Sequence, residues 1–500
     1  MGHIVHCCVQ GLEVLQRSIL ASLNEFPVGW PRRAIMIGVP LFVVVYAFIF
    51  RTYDISHHFW FQGDQQRDWS LVQGDFLSLP VTGTPIATGG VSFGPIFYWI
   101  LWGLRQVLVP VFGNLPHIGA IGLVILRVMA DGVLVFALLR RQLPVMAVAG
   151  FMLLLTSSPF EGALSATIWN PVLAVTLANI SIAVLLLSPH RQGFSLIRIA
   201  VMTGTSWLAV QAHTPAIFLA VAIGIYSVWA GDCQTERRWK ARLYAAGVGM
   251  VIVVVLQIPY AIHVLGQPDM YRESVFVRTG GLVFTNLSFI GFGESLSFLI
   301  RATERIILLP TIVPVLGVAF VVGAGFTGYT YRRNLDFIAV SILPAGLAWI
   351  GYAVMPYEGD VYWLLSLIFP LSFVLLGGIM GMNGACEGSD QVASRPVVSS
   401  HYRRLAVVTI VGMVLFGLVT QPGRWVAFDT LFKAPQYGPV VAGVQSVLKS
   451  GRPITSFRGA DAAAAAMNPE LLYRLLGGTL ASQADQAVVN AVGVVVFEQQ

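Results

Sequence analysis

Charge is what this 500-residue chain has least of: 11% of its residues are Asp, Glu, Lys or Arg, against 56% that are hydrophobic. That balance excludes a soluble globular protein, because a core and a solvated surface cannot be built from so few charges. The apolar residues fall in runs long enough for membrane spans, which take roughly 20 residues each. Cysteine is scarce, four residues in all, which excludes a disulfide-stapled scaffold. No cleavable secretory signal is evident, since residues 1–30 lack a continuous apolar stretch ahead of a small-residue cleavage site. The first span is therefore expected to stay in the mature protein. No internal repeat is visible, which disfavours a transporter built from paired halves. The net charge of +6 does not imply nucleic acid, because Lys and Arg collect in cytoplasmic loops of membrane proteins for topological reasons.

The basic residues give sidedness. Leu12, Leu15, Ile19, Leu23 and Phe26 lie at helical spacing and predict a surface helix within a cytoplasmic interfacial segment, residues 1–33. Trp30, Arg32 and Arg33 mark a cytoplasmic edge, and the first span follows at 34–50. Arg140 and Arg141 then have to return to the cytoplasm, so one of the stretches 95–112 and 118–139 does not cross. Segment 95–112, with its aromatics and Arg105, is read as an outer-surface juxtamembrane helix. Eleven spans result, near 34–50, 118–139, 144–157, 171–188, 196–212, 215–231, 243–264, 305–327, 335–355, 362–382 and 405–421. This predicts an all-α polytopic protein, with a transmembrane module at 34–421 and a first outer loop at 51–117. A small outer α/β domain is expected at 422–500, with helices near 441–449 and 469–476 and a strand at 487–497. Cys7, Cys8, Cys233 and Cys386 all fall on the cytoplasmic side of this arrangement.

The densest set of ionisable groups in the first hundred residues lies just outside the first span, at 53–68. Asp64 and Asp68 are four apart and share a helix face. A carboxylate at a membrane interface can be tuned to take a proton from a hydroxyl, although two solvated loop acids fit the spacing as well. Asp54, His57 and His58 admit a reading, with Asp64, as zinc or manganese ligands. Trp169-Asn170-Pro171 and His213-Thr214-Pro215 predict capped helix starts, with Asn170 and Thr214 as caps, and helix N-termini there favour an anion. Arg127 and Asp131, four apart within a span, predict an intramembrane ion pair, with Arg127 as an alternative donor-site contact. Arg272, Arg278, Arg301 and Arg305 in a later outer loop can bind phosphate oxygens; the alternative for Arg301 and Arg305 is pairing with Glu304 or Glu294, or anchoring headgroups at the start of the 305–327 span.

Asp64-Gln65-Gln66-Arg67-Asp68, followed by a Thr/Gly-rich stretch and by Phe93-Gly94-Pro95-Ile96-Phe97-Tyr98-Trp99, resembles the GT-C superfamily of integral-membrane glycosyltransferases. The likeness is to bacterial relatives of the protein O-mannosyltransferases and aminoarabinose transferases, many of which carry an Asp-Gln-Gly-Arg-Asp-like motif after the first span. Gln66 stands here in place of the glycine. The resemblance extends over about 34–232 and includes Trp169-Asn170-Pro171 and Gln211-Ala212-His213. It implies an inverting enzyme of the bacterial inner membrane, its site facing the periplasm. A polyprenyl-phosphate sugar would be the donor and an envelope hydroxyl the acceptor. Asp64 would be the general base and Asp68 a second acid holding substrate hydroxyls. Arg67, Tyr98, Trp169, Asn170, His213 and Tyr362 would line the cavity. The lysine of one family branch is absent at Phe93-Gly94-Pro95, and an Arg-Tyr pair of many relatives is absent near Glu358 and Asp360. No cofactor is implied beyond a divalent metal, on which members of the superfamily differ. The competing function is a transporter or flippase of a lipid-linked or polyol substrate.

Overall fold

The computed structural model describes residues 30–84, 94–187, 196–229, 236–266, 338–354 and 437–498, apart from scattered positions, together with residues 418, 419, 422 and 425. Arg272, Arg278, Arg301, Arg305 and Tyr362 lie outside the described residues. So do the surface helix expected at 11–26, all four cysteines, the spans expected at 305–327 and 362–382, and most of that at 405–421.

Helix α1, Trp30–Thr52, is followed by α2, Asp64–Leu71, α3, Ile96–Phe112, and α4, Pro116–Arg140. Then come α5, Val145–Thr156, α6, Asn170–Leu186, α7, Leu196–Ala212, α8, Ile217–Trp229, α9, Glu236–Gly266, and α10, Leu343–Val354. Among the described residues three stretches are long and apolar enough to cross a membrane: Ala34–His57, Pro116–Arg140 and Lys240–Gly266. Helices α3, α6 and α7 are not among them; at 17 residues each they rise about 26 Å, short of a hydrocarbon layer of about 30 Å.

Burial separates central helices from peripheral ones. Helix α4 packs against α1, α3, α5 and α6, while α7 packs against α6, α8 and α9. Helix α6 is apolar on every side and buried along its length, as a helix enclosed by neighbours should be. Helices α1 and α9 instead expose large apolar side chains, among them Ile37, Phe42, Tyr244 and Ile262. Helices α7 and α9 cross where Gly204 meets Gly249, and a Cβ on Gly249 would lie 2.3 Å from the Ala200 carbonyl oxygen. Only the smallest residue allows the backbones that close.

The predicted pair of Arg127 and Asp131 forms, but within a larger cluster. Asp131 Oδ2 accepts from Arg51 Nη1 at 2.9 Å, and Asp131 Oδ1 accepts from Asn179 Nδ2 at 2.8 Å and lies 3.3 Å from Arg127 Nη1. Side chains lean toward their own helix N-terminus, so in the antiparallel α1 and α4 those of Arg51 and Asp131 lean toward each other. The cluster thus joins α1, α4 and α6.

At the C-terminal end stand α11, Tyr437–Ser450, β1, Ile454–Gly459, α12, Ala462–Ala466, α13, Pro469–Leu475, β2, Asp485–Val489, and β3, Val495–Glu498. The sheet order is β1-β2-β3, with β1 parallel and β3 antiparallel to β2. The single strand expected at 487–497 is two strands joined by a turn. Asn490 Oδ1 accepts from the Val492 and Val494 amides, and Gly493 takes a φ of 83° that few other residues adopt. Strand β1 was not anticipated; its burial does not alternate, and its partner β2 lies some thirty residues on. Asp461 joins the two halves: its carboxylate accepts from Ala464 N at 2.8 Å, capping α12, and from Ala491 N at 2.9 Å.

Candidate active site

Past the end of α1 the chain makes a single turn, Ile55–His58, and buries Phe59 and Phe61 before Gly63 bends it into α2. Gly63 has φ 46° and ψ −105°, a conformation open to glycine, and an acid follows at the first position of the helix, where the dipole favours it. Asp64 and Asp68 do lie on one short helix, as their spacing predicts, but their surroundings differ. The Asp64 side chain is 37% exposed and that of Asp68 is 0% exposed. The second turn of α2 is pressed onto α4, where a Cβ on Gly119 would meet the Trp69 ring at 2.4 Å. Helix α3 covers it from another side.

Arg67 links the two acids. Its Nη1 donates to Asp64 Oδ1 at 2.7 Å, while its Nε and Nη2 reach Asp68 Oδ1 at 2.9 and 2.8 Å. Tyr98, in the first turn of α3, donates its hydroxyl to the same Asp68 Oδ1 at 2.9 Å. Asp68 Oδ2 is buried and has no hydrogen-bond partner among the described residues. Burial pushes the Asp68 carboxyl up to about 6, against the pull of Arg67 and the Tyr98 hydrogen bond. Burial also opposes the Arg67 charge, but Asp68, Tyr98 and Asp64 outweigh it and the guanidinium pKa is raised. The Tyr98 phenol is held above its ordinary value by burial and by the Asp68 charge. The group is thus a buried acid that takes hydrogen bonds from a phenol and a guanidinium, and the guanidinium reaches on to a partly exposed acid.

One turn before Tyr98, Gly94 has φ 82°, and a Cβ there would lie 2.5 Å from Gln257 Nε2 and 3.1 Å from Gln211 Oε1. The Gly-Pro step is therefore a place where backbone touches side chains of α7 and α9. Gln211 Nε2 donates to the Val253 carbonyl at 3.2 Å, while Gln211 Oε1 is buried and has no partner among the described residues. His213 Nε2 is likewise buried without a partner, and burial holds the imidazole down to about 4, so the ring is neutral. Asn170 Nδ2 donates to the Ala212 carbonyl at 2.7 Å and lies 3.5 Å from His213 Nδ1.

These contacts correct the capping expectation. Trp169 and His213, not Asn170 and Thr214, occupy the cap positions, and neither makes a side-chain cap bond. Asn170 instead ties the start of α6 to the end of α7. Of the expected cavity residues, Arg67 and Tyr98 meet at Asp68, and Asn170 meets His213. Trp169 packs half-buried against the core. Arg127 belongs to the cluster between α1, α4 and α6 rather than to α2. His57 Nδ1 pairs with Asp54 Oδ1 at 2.6 Å, and among the described residues no three His, Cys, Asp or Glu side chains come together as a metal-binding group. Gln257 was not singled out from the sequence, though a polar residue within an apolar helix was a usable signal.

Comparison with family models and with curated proteins finds no match. Among solved structures, ArnT from Cupriavidus metallidurans in the apo state is similar at a TM-score of 0.47 and 13% identity, with 88% of this chain and 84% of that one covered. The same protein bound to undecaprenyl phosphate gives 0.46 and 14%, covering 88% and 85%. The archaeal oligosaccharyltransferase AglB from Archaeoglobus fulgidus, in complex with an inhibitory peptide and a dolichol-phosphate, gives 0.45 and 12%, covering 79% and 56%. These neighbours are membrane glycosyltransferases of the GT-C superfamily, the group that the sequence resembles. At TM-scores below 0.5 the pairing by itself assigns this chain neither fold nor activity.

Proposed function

We propose that this chain is an inverting glycosyltransferase, moving a sugar from a polyprenyl-phosphate donor to an acceptor hydroxyl at the outer face of the plasma membrane. The observation that carries the reading is the chain of contacts from Tyr98 and Asp68 through Arg67 to Asp64, placed just beyond the end of the first apolar helix. In the reaction the acceptor oxygen attacks the anomeric carbon, the bond from that carbon to the phosphate oxygen breaks, and the lipid phosphate departs. Asp64 takes the hydroxyl proton, since it is the acid with an open side. Asp68 is enclosed, so its part is to hold Arg67, which aims the Asp64 carboxylate. The leaving phosphate needs a cation, and Arg272, Arg278, Arg301 and Arg305 remain the candidates. On this reading residues 34–421 are the transferase module and 422–500 a small outer domain.

The test compares Asp64→Asn with the unaltered protein in membranes supplied with a polyprenyl-phosphate sugar. Loss of general-base assistance should lower transfer by roughly two to four orders of magnitude. Full transfer by the Asn variant would remove Asp64 from the role.

A further inference from the structure

Position 66 is where the chain departs from the Asp-Gln-Gly-Arg-Asp-like motif, with a long amide in place of glycine. That amide joins α2 to residues 400 positions away. Gln66 Nε2 donates to the Phe61 carbonyl at 2.9 Å and to the Ala466 carbonyl at 2.7 Å. Ala466 ends α12, so its carbonyl is among the four that a helix leaves without an intrahelical donor. Asn468, at φ 49° in the left-handed region that Asn tolerates, uses both ends of its own amide. Its Oδ1 accepts from Leu471 N at 3.2 Å and caps α13, and its Nδ2 donates to Gln66 Oε1 at 3.4 Å. A glycine at 66 would make none of these bonds.

The same C-terminal residues are seated on both flanks of α2. Phe59 and Phe61 meet the Tyr437 ring at 5.3 and 6.2 Å, and the Tyr437 hydroxyl lies 3.1 Å from His117 Nδ1. Asn114 Nδ2 donates to the Leu475 carbonyl at 3.0 Å, and a Cβ on Gly438 would lie 2.8 Å from the His57 Cα. Within α2, and among the described residues, the hydrogen bonds with this unit are those that Gln66 gives to Ala466 and takes from Asn468.

We infer that residues 437–498 act as a clamp on the candidate active site, with Gln66 as the positioning residue. The clamp sets the rotation of α2, and so the direction in which the Asp64 carboxylate and Arg67 guanidinium point. This rests on the reading of Asp64 as the base. Gln66 acts through its neighbours and touches no reacting group.

The test uses the full-length protein in lipid nanodiscs, with Gln66→Glu, Gln66→Gly and Asn468→Asp. The first keeps the shape but removes both donors and sets a carboxylate against two carbonyls. The last keeps the cap acceptor and removes only the donor to Gln66. Hydrogen exchange is followed in peptides covering 64–71 and 462–475, alongside steady-state transfer from a polyprenyl-phosphate sugar. In Gln66→Glu and Gln66→Gly both peptides should exchange faster. Their kcat should fall roughly tenfold to a hundredfold, as for a reacting group displaced by about 1 Å, with donor KM changed by less than about twofold. Asn468→Asp should move both readouts the same way by less. Unchanged exchange at 64–71 in Gln66→Glu overturns the clamp. Faster exchange with unaltered kcat, or a KM change alone, overturns the positioning role. No transfer by the unaltered protein overturns the enzyme reading, and the exchange data then decide the clamp on their own.

Discussion

Among the described residues stand two Arg–Asp networks, which differ in how far their carboxylates are enclosed. In the cluster of Arg51, Arg127, Asp131 and Asn179, both oxygens of a fully buried carboxylate are engaged. In the network of Asp64, Arg67, Asp68 and Tyr98, the buried carboxylate keeps one oxygen unpartnered and the other carboxylate is partly exposed. A buried charge is tolerated when its oxygens are engaged, and among the described residues Asp131 has contacts on both oxygens whereas Asp68 has them on one. The first network joins three helices, whereas the second keeps one of its carboxylates partly exposed.

The widest separation between them should appear on removing an acid. Asp131→Ala leaves Arg51 and Arg127 facing a void, and breaking a buried pair in this way costs roughly 3–5 kcal/mol. The expected result is a lower unfolding temperature in detergent and a poor yield of folded protein. Asp64→Asn, at a half-exposed position, should shift unfolding by no more than about 0.5 kcal/mol. Equal thermal losses would erase the distinction.

A medium effect is expected from pH. The folded value of Asp68, about 6, lies above the ordinary carboxylate value of 3.8, so acidification through 6 neutralises it while the fold persists. Transfer should then fall about tenfold per pH unit below 6, as Arg67 loses its buried anchor. Stability through this residue runs the other way: its contribution is fully present below the unfolded pKa and is lost as pH rises through 6. Activity should therefore decline between pH 6 and 5 without unfolding through this residue, which a rate profile paired with thermal melts will show. A rate flat down to pH 5 would mean that the charge of Asp68 is not needed.

The smallest effect belongs to Tyr98→Phe. Its hydroxyl holds the Asp68 value down, and one such hydrogen bond is worth about 1 kcal/mol, or somewhat under one pKa unit. The acid limb should move up by that amount while the maximal rate stays close to normal. An unmoved limb would detach Tyr98 from the network.

How much could be read in advance varies with how local the cause is. The long spans were legible in hydropathy, and α1, α4 and α9 appear close to where they were expected. The acids of α2 were legible as a pair, but not as one enclosed and one open, since that depends on α3 and α4 packing over the second turn. Asn170 looked like a cap because Asn before Pro commonly is one, yet the Ala212 carbonyl of a neighbouring helix claims its amide. Strand β1 was missed because its partner, β2, lies some thirty residues on.

By itself the sequence determined the class of protein, the position of its longest helices and the stretch holding its ionisable groups, because hydropathy and periodicity are properties of neighbouring residues. Only the tertiary structure decided which carboxylate is buried, what Arg67 and Gln66 hold, and where residues 437–498 sit. The energy of a polar group depends on what surrounds it, and here those surroundings come from segments up to 402 positions apart.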